Sequence, residues 1–175
     1  MLAVCITALA QASQVTAAAP PESLEYAVKA TFLYKFANFV NWPPAAFETP
    51  SSPVSLCVLG NDAVAAVVDQ AAAGQMIGER PIAVRHLQAV SADSTCHILY
   101  VAVNIPSAEA EDAVRGKPVL TVTDTSRATM GKSIVSFVVQ DNRVRFDIDD
   151  AQAAESGLAI SSKLLSLART VRPRP

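Results

Sequence analysis

The chain has 175 residues, an apolar fraction of 51% and a formal charge of −2. That length suits one domain. Its charges are dispersed, without a basic stripe or a run of one sign, which argues against a nucleic-acid binder and against a polybasic membrane anchor.

Residues 1–19, MLAVCITALAQASQVTAAA, are small and apolar, carry no charge and finish in Ala17-Ala18-Ala19. This is the pattern of a signal peptide with a small-residue cleavage site, so the mature chain is expected to be exported. A membrane-spanning anchor is disfavoured, because Gln11, Ser13 and Gln14 interrupt the run and about 20 apolar residues are needed to cross a bilayer. Leu2-Ala3-Val4-Cys5 makes a poor lipidation site, since Val4 is large and nothing basic precedes it.

From Tyr26 to Trp42 stand six of the ten aromatic residues of the whole chain. At ~100° per residue, Tyr26, Ala30, Phe32, Leu33, Phe36, Ala37, Phe39 and Val40 gather on one broad face, with Thr31, Lys35, Asn38 and Asn41 opposite. The segment therefore reads as an amphipathic helix packed on a sheet and ended by Pro43-Pro44. The cluster Tyr26, Phe32, Phe36, Phe39 and Trp42 has two readings, core packing or the lining of a ligand pocket. Lys29 falls inside the apolar arc, where a charge must be paired or snorkel past the helix end. The expected pair is with Asp147 or Asp149, which would tie the first helix to the last strand.

Beyond this helix the pattern alternates. Val54–Leu59 reads as a strand, and Asn61-Asp62 then caps a helix that runs to about Ala73 and stops at Gly74. Residues 82–87 and 96–103 are predicted strands, 107–115 a short helix with Glu109, Glu111 and Asp112 near its positive end, and 119–122 a fourth strand. Strands alternating with helices imply an α/β domain with a mixed, mostly parallel sheet flanked by helices. SIVSFVVQ and RVRFDID, on either side of Asp141-Asn142, read as an antiparallel hairpin, with Val144, Phe146 and Ile148 inward and Arg143, Arg145 and Asp147 outward. Asp149 or Asp150 caps a short helix after it, and SSKLLSLARTV is predicted as the last helix, with Leu164, Leu167, Ala168 and Val171 on one side. The tail from Arg172 is expected to fray.

Little in the chain points to catalysis. Removing the leader leaves Cys57 and Cys96, each in an apolar, strand-like run, and an oxidising compartment admits a disulfide, two buried thiols or a reactive thiol. His86 and His97 are too few for a metal site without carboxylates at ligand spacing. Gly131-Lys132-Ser133 has Ser126 where the first glycine of a phosphate loop belongs. No nucleophile elbow or cofactor fingerprint is found, so no catalytic residue, metal or cofactor is expected and a binding or regulatory module is favoured over an enzyme.

KATFLYKFANFVNWP, the strand LCVLG, the runs PIAVRHL and CHILYVAV, and FDID followed by GLAISSKLLSLA together resemble the YfiR family of periplasmic proteins. The resemblance covers roughly Leu24 to Arg169, within a domain expected at residues 24–172. It implies a negative regulator that binds the periplasmic sensor domain of an inner-membrane, YfiN-like diguanylate cyclase and lowers cyclic di-GMP, is sequestered by a YfiB-like, OmpA-like outer-membrane lipoprotein, and forms homodimers. It also implies a structural disulfide between Cys57 and Cys96, and places partner contacts in the last third, where Phe137, Leu158 and Ile160 are the nearest candidates. A second cysteine pair that a well-known relative carries at its hairpin is absent here. The alternative is a small-molecule-binding periplasmic sensor that feeds a membrane receptor or histidine kinase, with the aromatics from Tyr26 to Trp42 around the ligand.

Overall fold

The computed structural model describes residues 21–60, 62–102, 105–124 and 133–175. The expected leader at 1–19, the cap residue Asn61, Val103 and the Gly131-Lys132 stretch lie outside them.

Helix α1 (Pro21–Phe36) begins with proline, whose missing N–H costs nothing in a first turn. A single 3-10 turn, Ala37–Phe39, follows it. The chain then becomes extended in β1 (Val40–Asn41), so the predicted helix does not continue to Trp42. Local periodicity could not reveal why: Val40 pairs with Ile160 and Asn41 with Ala159 across a small antiparallel ribbon, a contact made far along the chain. The β-branched Val40 suits that backbone, and Pro43 keeps the residue before it out of the helical region.

After β2 (Val54–Leu59) come α2 (Asp62–Ala72), β3 (Met76–Ile77), β4 (Arg80–Leu87), β5 (Ile98–Val101), α3 (Ser107–Ala113) and β6 (Leu120–Asp124). The hairpin is β7 (Val135–Gln140) and β8 (Arg143–Asp149), turned by Asp141 and Asn142 at φ 50° and 55°, the paired left-handed conformation that two-residue hairpin loops require. Helix α4 (Asp150–Glu155) is capped by Asp149, whose Oδ1 accepts the Gln152 N–H at 2.9 Å. The chain ends in β9 (Ala159–Ile160), a helical turn α5 (Ser162–Leu165) and β10 (Thr170–Arg172).

Eight strands form one sheet in the order β10-β8-β7-β6-β5-β2-β4-β3. It is mixed and mostly parallel: only β7–β8 and β3–β4 pair antiparallel within it. The predicted last helix is therefore a single turn followed by an edge strand. Thr170 and Val171 are β-branched, the Arg169 N–H donates to the Phe146 carbonyl at 2.8 Å, and Pro173 ends the pairing. Nor does the tail fray, because Arg172 lies 2.9 Å from Asp149 Oδ2 and Arg174 Nε 2.8 Å from Asp150 Oδ2.

Alternation along the strands divides the core. Val54, Leu56, Val58, Ile98, Tyr100, Leu120, Val122, Val135, Phe137, Phe146 and Ile148 face α1 and α2. Cys57, Leu59, Leu99 and Val101 face the other way, against Ala110, Val114 and Val119. On that second side of β7 and β8 the paired residues are Ser136 with Asp147, Val138 with Arg145 and Gln140 with Arg143, and neither apolar cluster includes them.

The smaller layer is closed by a disulfide between Cys57 and Cys96, with Cα atoms 5.8 Å apart and a sequence separation of 39. Closing a loop of that size stabilises by about 4 kcal/mol on the chain-entropy model. A Cys57→Ala, Cys96→Ala double variant is expected to lose roughly that much in urea unfolding, and adding reductant is expected to shift the wild-type curve but not the variant's.

Candidate functional site

Lys29 is 2% exposed, and its charge is answered at the carboxyl end of β6. Its Nζ lies 2.6 Å from Asp124 Oδ2 and also bonds to Glu25 one helical turn earlier. The Tyr100 hydroxyl donates to the same Asp124 oxygen at 3.2 Å. Burial first, and then the Asp124 charge, raise the Tyr100 pKa far above the ordinary phenol value, so the hydroxyl remains a donor. The expected partners Asp147 and Asp149 are engaged elsewhere, by Arg169 and by Arg172 with the Gln152 amide. Alternation excludes them: through Ser136, Asp147 lies level with Thr123, one residue from Asp124, but it and Asp149 alternate with Phe146 and Ile148, which face α1, and so point to the other side of the sheet. Asp124 was missed because a lone aspartate ending a strand run has no local signature.

The aromatic segment divides into two groups. Phe32 and Phe36 meet Phe137 and Phe146 with ring centroids 5.1–6.2 Å apart, inside the core between α1 and the β7–β8 hairpin. Tyr26 and Phe39 are half-buried against the same core. Of the residues that the family resemblance nominates for a partner, Phe137 is 0%, Leu158 2% and Ile160 8% exposed. All three are core side chains in this conformation, so they do not present themselves to another protein.

Trp42 belongs to the second group, at the amino end of β2 and β5. Phe47 stacks on the His97 imidazole at 4.3 Å, Trp42 meets both rings edge-on, and the Arg80 guanidinium lies 3.8 Å over the Phe47 ring. Arg80 also donates to the Thr49 and Ser52 carbonyls at 2.8 and 2.7 Å. His97 Nδ1 accepts from the Ser55 N–H at 3.0 Å, which requires Nε2 to carry the proton that bonds the Ala46 carbonyl at 2.9 Å. Burial, aided by the Arg80 charge and opposed by the Ala46 hydrogen bond, lowers the His97 pKa below its ordinary value. This histidine clasps the 43–53 connection onto the sheet. His86, by contrast, is a surface residue 3.0 Å from Asp69 Oδ2.

No three His, Cys, Asp or Glu side chains among the described residues converge in a way that could hold a metal ion, and no described helix is long and apolar enough to cross a membrane. One depression is lined by Gln140, Asp141, Arg143 and Arg145, and a water-sized one by Glu111, Val114, Thr121, Gln152 and neighbouring residues.

The family described as YfiR/HmsC-like matches residues 26–169, and the chain belongs to it. No curated protein matches the sequence. Among solved structures, a conserved domain protein from Vibrio cholerae O1 biovar El Tor str. N16961 is similar at 11% identity and a TM-score of 0.47, over 68% of this chain and 55% of that one. The chain thus spans about half the length of that relative.

Two measurements test these assignments. Lys29→Met leaves a carboxylate buried without its cation and is expected to cost about 3–5 kcal/mol in chemical denaturation. Adding Asp124→Leu is expected to recover much of the loss, and a fully additive double variant would contradict the pairing. His97, neutral in the fold with a lowered pKa, contributes stability that is complete above its unfolded pKa of about 6.5 and declines as the pH falls from there through the folded pKa. Thermal midpoints measured between neutral and mildly acid pH should fall more steeply for wild type than for His97→Gln.

Proposed function

We propose that this YfiR/HmsC-like chain is a periplasmic negative regulator that binds the periplasmic sensor domain of an inner-membrane diguanylate cyclase and thereby lowers cyclic di-GMP production. The observation that carries the reading is the family match, which runs from the first aromatic of α1 to the residue before β10.

The arrangement of polar groups supports a binding role. Lys29 and Tyr100 both donate to Asp124, His97 holds the backbone, Thr121 accepts the Ile134 N–H at 2.9 Å, and Thr123 lies 2.7 Å from Ser133. Each has a structural use. The aromatics required to line a pocket in the sensor alternative instead pack on Phe137, Phe146 and Phe47, which favours the regulator.

Inhibition by binding requires that the chain prefer the sensor's inactive arrangement over the active one, since only differential affinity shifts an equilibrium. An OmpA-like lipoprotein that competes for the chain would relieve it by lowering the free concentration. Homodimerisation and export through the 1–19 leader complete this reading.

The test is a pull-down of the oxidised, mature chain with the periplasmic domain of the cyclase encoded nearest its gene, followed by calorimetry. A dissociation constant of about 1 μM or tighter, roughly 8 kcal/mol, is the expected result. A folded, oxidised chain that does not bind, in a strain whose cyclic di-GMP is unchanged when the gene is deleted, would overturn the reading.

A further inference from the structure

We propose that the second side of the β7–β8 hairpin, around Arg143 and Arg145, is a docking surface for an acidic, extended segment of a partner protein; the identification of that partner with the cyclase sensor rests on the function proposed above.

The observation is a difference among the arginines. Arg80 and Arg85 donate to backbone carbonyls, and Arg115, Arg169, Arg172 and Arg174 are each paired with an aspartate. Among the described arginines, the side chains of Arg143 and Arg145 alone have no hydrogen bond or ion pair. They lie two apart on one strand and alternate with the inward-facing Val144 and Phe146, so both point to the same side of the sheet. Their cross-strand neighbours are Gln140 and Val138. Val138 is half-buried yet packs against neither apolar cluster. The result is a shallow depression with a polar and apolar floor and two guanidinium forks left without acceptors.

The geometry selects the chemistry. Side chains two apart on a strand stand about 6.6–6.8 Å apart, which is also the spacing of alternate residues in another extended chain. Glutamates or aspartates at alternate positions of a partner segment would place one carboxylate over each fork, the bidentate arrangement guanidinium favours. Asp141 at the turn and Asp147, which Arg169 holds, flank the two arginines on this side, so the carboxylates of a partner are favoured only over the two forks between them. A lipid surface fits less well. Polybasic lipid recognition uses about 4–8 basic residues together, whereas two are free here and the chain as a whole is negative.

The experiment uses the full oxidised chain and an Arg143→Glu, Arg145→Glu variant, with Arg145→Gln as a second variant should the first unfold. Both side chains are exposed and unpaired, so unfolding midpoints should match wild type. The probe is a capped Thr-Glu-Val-Glu-Thr peptide titrated by NMR. Shifts confined to amides around Gln140, Arg143 and Arg145, suppressed by about 0.5 M salt and at least roughly tenfold weaker in the variant, are expected. Shifts elsewhere, or equal binding by the variant, overturn the proposal. Arginine-dependent binding to phosphatidylglycerol vesicles with none to the peptide would also overturn it, in favour of a lipid. Titrating the cyclase sensor against the same chains separates the two readings. Undiminished binding by the variant overturns this surface as the receptor's site, whereas wild type that binds the peptide but not the sensor sinks the cyclase assignment and leaves the surface standing.

Discussion

The seating of α1 on the sheet depends on one buried ion pair, Lys29 with Asp124. Its role is placement more than stability. Burying Ala30, Leu33 and Phe36 supplies most of the energy that holds the helix down, at about 1.5–3 kcal/mol for each large side chain. A buried ion pair roughly balances its own desolvation, so its net contribution is small. Apolar contacts tolerate a helix that slides or rotates by a residue, but a lysine that is 2% exposed does not. Only one position of α1 brings its ammonium to Asp124, and Tyr100 narrows that further by occupying the same carboxylate oxygen. With the upper end so placed, Phe32 and Phe36 reach the hairpin and Val40 arrives opposite Ile160. The mixed sheet and the small ribbon thereby become parts of one unit.

How much of this was legible depended on how local the controlling contact is. Val54–Leu59 could be read from its own apolar run, and the hairpin from alternation on either side of Asp141-Asn142, because strand and turn chemistry act within a few residues. Lys29 announced itself as a misplaced charge, yet its partner did not. The outward alternation of Asp147 already argues against it, but finding Asp124 requires the strand order and register that set β6 beside β7 under α1, neither of which is written in spacing. The same reason explains both secondary-structure errors. Residues 37–42 and 166–171 have helical periodicity, but a remote strand offers each a better use for its backbone hydrogen bonds. Tertiary pairing overrides weak propensity. At the candidate site, the outward alternation of Arg143 and Arg145 was readable, but not that they would be left without acceptors while the other described arginines were taken up.

The lower end of the molecule is secured differently. The disulfide restricts the unfolded chain, while the Arg80, Phe47 and His97 stack holds the 43–53 connection in the folded one. His97 adjoins Cys96, and its Ser55 hydrogen bond lies two residues from Cys57 on the same strand. The two devices therefore reinforce one junction, between β2 and the start of β5. A covalent link alone would leave the connection free to lift, and the stack alone would weaken when His97 is protonated.

These anchors bear on where a partner can act. Phe137, Leu158 and Ile160 could contribute to binding only if the core opened, and the ion pair, the disulfide and the His97 clasp all oppose opening. A domain braced in this way presents a fixed surface and selects among a partner's conformations. Its influence must then come from complementarity already in place before contact, which reduces the ordering cost of association. Charge is suited to such a rigid surface, because guanidinium forks on a strand are spaced by the pleat and need little rearrangement to meet carboxylates. The free arginines lie on the hairpin that also buries Phe137 and Phe146 beneath α1. Core packing on one side of that hairpin thus holds the arginine spacing on the other, linking the aromatic cluster of the sequence to recognition without direct contact between them.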